Sequence, residues 1–345
     1  MTPKTAPSQA TDVLIHDLGS NDGRAEKFMI YILPGNPGLI SFYEPFAIAL
    51  ALLLQRSSVA KNASIRICGK SLRGFETGAT GATDRNEQTT GPVSLAETIL
   101  RTEADLMALA TSTSTPSAVS ASPVRIILVG HSVGAYILLE LLRRHRCGAG
   151  ANVHNPVDIV GGILVFPTVT HIARSRAGWI LTPLLSIWGF AAIVGVLVNI
   201  VFFLLPFSFV YWLVRIVARF PASAATTVTH FLKSRHGVRQ TCWLGKEEMR
   251  LITEDKWNED VWGNGSPQDP TLYMYFGQND PFVPNDARDK LIVAHGNIPG
   301  QETSQESRAF IDIYKIPHSW CIEHSDTIAE KVTPWVEKII SRYPQ

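Results

Sequence analysis

An α/β fold, with a mostly parallel sheet flanked by helices and one helical apolar insertion, is predicted by three observations. Short branched apolar runs alternate with amphipathic helical patterns along most of the 345 residues. The last two strand-like runs are separated from the first five by residues 168–262. Inside that gap, residues 177–214 form a stretch of 38 without a single charge. Strands that alternate with helices pair in parallel, because each crossover helix carries the chain back to the same end of the sheet.

The expected strands are residues 12–15, 28–33, 64–68, 125–129, 159–166, 272–276 and 310–314, short runs rich in Val, Ile, Leu, Phe and Tyr. Helices are expected at 42–55, 94–110, 133–146, 286–294 and 322–341, where apolar residues recur every three or four positions. Residues 76–92 and 111–123 are dominated by Thr, Ser, Gly and Ala and are expected to be surface loops. Residues 1–10 are expected to be disordered. The implied organisation is a core in two parts, 11–167 and 263–345, with 168–262 inserted between them as a cap.

Composition narrows the function classes. Apolar residues make up 46% and charged residues 18%, a greasier balance than an ordinary soluble domain, and the net charge of +1 argues against a nucleic-acid partner. Cys68, Cys147, Cys242 and Cys321 form no CxxC pair and suit free thiols in a reducing compartment. The first 27 residues hold no apolar run of secretory-signal length, so the catalytic body is expected in the cytosol. Charge is unevenly spread: no acidic residue occurs between Asp158 and Glu247, whereas that stretch holds eight Lys and Arg, leaving the remainder net −7. A basic insertion on an acidic body suits contact with anionic head groups.

The chemistry-bearing motif is Gly130-His131-Ser132-Val133-Gly134, set between a strand-like IILV and an amphipathic helix. A tight strand-to-helix turn exposes the serine Oγ at the sheet's carboxyl edge, and the two glycines remove side chains that would collide there; this is the nucleophile elbow of the α/β-hydrolase fold. A serine hydroxyl needs a base to accept its proton and a carboxylate to orient that base, and in this fold they follow in the order Ser, acid, His. Asp280, in a rigid Asn279-Asp280-Pro281 turn after the sixth strand, is the candidate acid, with Asp286 and Asp289 as alternatives on the next helix. His318, after the last strand, is the candidate base, with His324 as the alternative; His131 is expected to pack beside the site. A metal site from His318, His324 and Asp326 fits no familiar ligand spacing, and no metal or organic cofactor is expected.

The strand FMIYIL ends in Pro34-Gly35-Asn36-Pro37-Gly38, where this fold places its second oxyanion donor. The prolines cannot donate, so the expected pair is the backbone N–H of Asn36 and of Val133. The uncharged run is punctuated by Pro183, Gly189, Gly195, Asn199 and Pro206 and flanked by Arg174, Arg176, Arg215 and Arg219. Two half-helices turning back, with both cationic ends on the cytosolic face, suit a hairpin in one leaflet or a droplet monolayer, anchored by Trp179, Trp188, Tyr211 and Trp212. A buried helical cap lining an acyl-chain tunnel is one alternative, and a double-spanning hairpin, tight because each half would have fewer than ~20 residues, is the other.

With these residues placed, the chain resembles the lipid droplet-associated hydrolase family, a branch of the α/β-hydrolases. The resemblance rests on LPGNPGLISFYEPF at 33–46, GHSVGAY at 130–136, FGQNDPFVP at 276–284, IPHSWCIEHS at 316–325 and the apolar insertion. One departure is Ser71-Leu72-Arg73-Gly74-Phe75, where the family pattern leads one to expect a histidine. The resemblance implies a triad of Ser132, Asp280 and His318, residence on lipid droplets and the endoplasmic reticulum, and esterase activity toward sterol esters or other neutral lipids. An acyltransferase using the same triad, and a droplet-organising protein with little catalysis, are the alternatives.

Overall fold

The computed structural model describes residues 11–19, 26–58, 63–77, 91–113, 123–147, 157–263, 266, 269–296 and 307–343. Residues 1–10 lie outside them, as do 78–90 and 114–122 of the two expected loops. Seven strands form one sheet: β1 (Val13–Gly19), β2 (Glu26–Leu33), β3 (Ala63–Lys70), β4 (Val124–His131), β5 (Val157–Val165), β6 (Thr271–Phe276) and β7 (Ala309–Ile311). Their order is β1-β3-β2-β4-β5-β6-β7; β1 is antiparallel to β3, and every other pairing is parallel. With helices on both faces the central strands are buried on both sides, which is why they are continuous apolar runs rather than alternating ones. All six residues of β6 and the last six of β2 are buried.

Helices α1 (Glu44–Arg56), α2 (Leu95–Thr113) and α3 (Val133–Cys147) belong to the first part of the core. The segment between β5 and β6 contributes α4 (Arg176–Ser186), α5 (Phe190–Leu204), α6 (Phe207–Val217), α7 (Ala222–Lys233), α8 (Gly237–Leu251) and the short α9 (Glu259–Trp262). Then come α10 (Asn285–His295) and α11 (Ser325–Ser341).

Four boundaries differ from expectation for identifiable reasons. β1 continues through His16 and Asp17 to Gly19, since it is an edge strand with one wet face on which Asp17 pairs with Arg66 of β3 at 2.6 Å. β7 stops at Ile311, because Asp312 is buried and accepts hydrogen bonds from Tyr275 Oη and the Ile316 amide, turning the chain out of the sheet. α2 runs on to Thr113, where the Thr111 and Ser112 hydroxyls bond back to helix carbonyls. α11 begins at Ser325, so His324 precedes the helix rather than lying within it.

The uncharged run forms three helices, not two. It breaks at Gly189, whose φ is +78°, and at Pro206, while Pro183 lies inside α4 and Gly195 and Asn199 inside α5. Gly195 is a packing glycine: a Cβ there would lie 2.8 Å from Arg239 Cβ on α8.

The elbow is where the layers press hardest on one another. A Cβ on Gly130 would meet the Gly134 carbonyl oxygen at 2.5 Å, and one on Gly134 would meet the Leu33 carbonyl oxygen at 2.2 Å. Both obstacles are backbone, so neither can swing aside. Gly134→Ala is therefore expected to destabilise the protein by about 2–3 kcal/mol or more through overpacking; urea unfolding of the two proteins measures it, and an unchanged midpoint would refute the close approach.

Candidate active site

Ser132 sits between β4 and α3 with a φ of +54°, the left-handed region that a residue bearing a Cβ avoids. Its amide donates to Val165 at the end of β5, and its carbonyl accepts from Ala135 on α3 and from Thr168. Strand and helix thus hold the strained residue from both sides. The turn aims Oγ at the carboxyl edge of the sheet, beside the loops that follow β5, β6 and β7.

Two of those loops supply the partners. Asp280 lies four residues past β6, and His318 lies in the segment between β7 and α11. His318 Nε2 is 2.9 Å from Ser132 Oγ, and His318 Nδ1 is 2.6 Å from Asp280 Oδ2. The other carboxylate oxygen of Asp280 accepts from the Phe282 amide at 2.8 Å, which fixes the plane of the carboxylate. Phe166 and Phe282 pack edge-on and tilted against the His318 ring, limiting its swing. The alternatives lie elsewhere: Asp286 pairs with Arg174, Asp289 with Arg288, and it is His318, not His324, whose ring reaches the serine. Among the described residues no three His, Cys, Asp or Glu side chains converge as a metal-holding group.

His131 does more than pack. Its Nε2 is 2.9 Å from the His318 carbonyl oxygen, which can only accept, so Nε2 carries the proton. Burial, with His318 nearby, holds its pKa well below the usual histidine value, so the ring is neutral and Nδ1 is an acceptor. The Tyr43 hydroxyl therefore donates to Nδ1 at 2.6 Å and accepts from the Gly35 amide at 2.8 Å. A single relay of hydrogen bonds thus runs from the loop after β2, through the residue beside Ser132, to the backbone of His318. Tyr43 lies in the FYEPF stretch that follows PGNPG, the only sequence signal that could have pointed to it.

The loop after β2 crosses directly over the elbow: a Cβ on Gly35 would lie 3.1 Å from Ser132 Cβ. Asn36 turns its side chain the other way, where Nδ2 donates to the Thr241 carbonyl at 3.0 Å and to Glu248 Oε1 at 2.9 Å, both on α8. Val133 is the first residue of α3, with its side chain fully buried. Glu248 is buried, and desolvation pushes its carboxyl up to about 7, against the smaller opposing effect of the Asn36 hydrogen bond. It was not singled out from sequence, although the Glu247-Glu248 pair that ends the acid-free stretch was a signal.

Farther along the insertion, α4, α5 and α6 turn apolar side chains to solvent. Trp188, in the break between α4 and α5, is 93% exposed, and within the helices Phe203 is 82% exposed, with Trp179, Leu204 and Trp212 also exposed. The four flanking arginines are all exposed; Arg174 reaches Asp286, and Arg215 donates to the Phe220 carbonyl. Among the described residues no single helix is long and apolar enough to cross a membrane; α4 and α5 pass by composition only as a pair, bent by 91°.

The sequence profile described as Lipid-droplet associated hydrolase matches residues 26–321. The chain belongs to that family. A lipid droplet-associated hydrolase from Mus musculus is 23% identical over 315 residues, covering 90% of this chain and 85% of the mouse protein. The counterpart from Homo sapiens is 29% identical over 177 residues, 50% of this chain, and the matched region spans under half of the human protein, 46%. Among solved structures, a haloalkane dehalogenase from Bradyrhizobium elkani superimposes with a TM-score of 0.53 at 10% identity, covering 96% of this chain and all of the other, a likeness of fold alone. For a member of the lipid-droplet associated hydrolase family, the expected α/β-hydrolase fold is what the sheet order and elbow display.

The buried Glu248 gives stability a distinctive pH dependence. Its folded-state pKa lies above the ordinary 4.5, so as pH rises the unfolded chain loses its proton first. Its contribution is full below pH 4.5 and is lost as pH climbs through about 7. Relative to Glu248→Gln, the wild type should lose on the order of 2–3 kcal/mol over that window. Urea unfolding of both proteins from pH 4.5 to 8 measures the difference, and parallel pH profiles would rule it out.

Proposed function

We propose that the chain is a serine esterase that cleaves a lipid ester, a sterol ester or another neutral lipid, at the surface of a lipid droplet or the endoplasmic reticulum. The observation that supports it best is the unbroken line of hydrogen bonds from Ser132 Oγ through His318 to Asp280. Ser132 Oγ attacks the ester carbonyl carbon while His318 Nε2 takes its proton, and Asp280 stabilises the resulting imidazolium without accepting a proton. The negative oxygen of the tetrahedral intermediate lies between the backbone N–H groups of Asn36 and Val133. Pro34 and Pro37 have no N–H and that of Gly35 is committed to Tyr43, which supports Asn36 as the donor from this loop. Collapse of the intermediate breaks the C–O bond, and His318 returns the proton to the departing alcohol. Water, deprotonated by the same histidine, then attacks the acyl-serine carbonyl; the acyl C–Oγ bond breaks, His318 returns the proton to Ser132 Oγ, and the fatty acid is released. Every proton in the cycle is handled by His318, so no metal or organic cofactor is needed.

The lipid surface is supported by the insertion. Large apolar side chains exposed in such number along one segment, Trp179, Trp188, Phe203, Leu204 and Trp212 among them, are unusual on a freely dissolved protein. At 1.5 Å per residue the longest of the three helices, α5 with 15 residues, is about 22 Å long, short of the ~30 Å hydrocarbon core. Residues 168–262 thus act as a cap that enters one leaflet or a droplet monolayer, with Arg174, Arg176, Arg215 and Arg219 at the head-group level and the catalytic body in the cytosol.

An alkyl fluorophosphonate should label the wild type and leave Ser132→Ala untouched; labelling that survives that substitution, or never occurs, refutes the esterase. Asp280→Asn should lower ester turnover about 10³–10⁴-fold, because the imidazole loses its orienting charge and favoured tautomer. The double substitution Trp188→Glu and Phe203→Glu should shift the protein from the floating to the soluble fraction in flotation with triglyceride droplets coated in phosphatidylcholine. Unchanged flotation would exclude the insertion as the anchor.

A further inference from the structure

We infer that Glu248 is a positioning residue for the oxyanion loop, acting through the side-chain amide of Asn36 so that the loop's geometry depends on how the insertion is seated. This rests on the serine-esterase reading above.

The loop after β2 is held at three points. Gly35 gives its amide to the Tyr43 hydroxyl, and the Gly38 carbonyl accepts from the Leu72 amide at 2.7 Å; both partners belong to the core. Asn36 is held differently. Both hydrogens of its amide go to α8, one to the Thr241 carbonyl and one to Glu248 Oε1. The residue expected to present the oxyanion donor is thus the one residue of the three tied to the insertion.

α8 is well placed to set that position. On one side it is fastened to the start of α2: Gln240 exchanges two hydrogen bonds with the backbone of Val93, and Glu247 accepts from the Leu95 amide. On another it receives α5, where Gly195 allows close contact with Arg239, and α4, whose Leu185 abuts Gly245. A Cβ on Gly245 would lie 3.3 Å from Leu185 Cδ1 and 3.6 Å from Asn36 Nδ2, so the apolar helix, α8 and the oxyanion loop meet at one point.

The chemistry of the pair also explains why a carboxyl occupies a dry position. Asn36 Oδ1 is buried with no hydrogen-bond partner, next to an amide nitrogen that bonds a carboxyl already raised to about 7. A protonated Glu248 can accept from Nδ2 and donate toward Oδ1, a reciprocal acid–amide pairing that leaves neither group unsatisfied. Gln at 248 reproduces that donor and acceptor set without a titratable proton, whereas Leu keeps the bulk and removes both.

Turnover of a p-nitrophenyl ester, together with the rate of fluorophosphonate labelling at Ser132, tests the inference. Glu248→Leu and Asn36→Ala should each lower kcat about tenfold or more with KM within about twofold, as expected when a donor is displaced rather than a binding surface lost. The double variant should be no slower than the slower single one, since both act through one contact, and Glu248→Gln should stay near wild type. Independent, multiplicative losses, a change confined to KM, or a Glu248→Leu enzyme as fast as wild type would overturn it. Should Glu248→Leu fail to fold, Asn36→Ala against Glu248→Gln carries the same comparison: equal activities overturn the inference. A wild type lacking Ser132-dependent turnover and labelling refutes the esterase beneath it, an outcome distinct from all of these.

Discussion

Everything at the candidate site depends on the left-handed turn at Ser132. A φ of +54° on a residue with a Cβ costs roughly 1–2 kcal/mol, and it persists because the surrounding backbone leaves no alternative. A Cβ on Gly130 or Gly134 would meet backbone oxygen at 2.5 or 2.2 Å, the Ser132 amide is taken by β5, and α3 starts at the next residue. The strain has a geometric consequence. It turns Oγ away from the sheet and toward the loops after β6 and β7, and it leaves the Val133 N–H at a helix start, where no carbonyl of the preceding turn claims it.

The second organising element is the neutral His131 ring. One proton pattern satisfies its neighbours: Nε2–H to the His318 carbonyl, the Tyr43 hydroxyl to Nδ1, the Gly35 amide to the Tyr43 oxygen. Each bond points the same way, so the chain polarises cooperatively, and each end terminates on backbone, at Gly35 and at His318. A charged His131 would reverse the middle bond and place a cation beside the His318 ring, whose centroid is 5.0 Å away. Burial, by keeping His131 neutral, thus preserves the direction of the relay and keeps a second charge away from the His318 ring.

How much of this was legible in the sequence follows from the range of each interaction. The sheet strands, the elbow and the residues at 280 and 318 were legible because each depends on a few consecutive residues: a branched run, a GxSxG turn, an NDP turn after LYMYF, a PHSW loop after the last strand. The Tyr43–His131 and Asn36–Glu248 contacts were not, since their partners are 88 and 212 residues apart and only the fold brings them together. The apolar run was legible as an insertion but not as three helices. Gly189 and Pro206 break it and Pro183, Gly195 and Asn199 do not, because Gly195 is needed for contact with Arg239 and Asn199 bonds outward to the Arg235 carbonyl. Composition cannot distinguish a breaking glycine from a packing one.

The insertion joins two demands that are usually separate. Its apolar helices are too short to span a bilayer and too exposed for a core, while its last long helix carries buried polar groups, Gln240, Glu247 and Glu248, that bond to the body. Buried polar bonds of this kind add little net stability but strongly penalise misplacement, because moving α8 by a few ångströms would strand every one of them. The polar side of the insertion therefore fixes its register on the body, and its apolar side remains exposed. Since Asn36 is bonded to that polar side, a shift of α8 would be felt directly at the loop lying over Ser132.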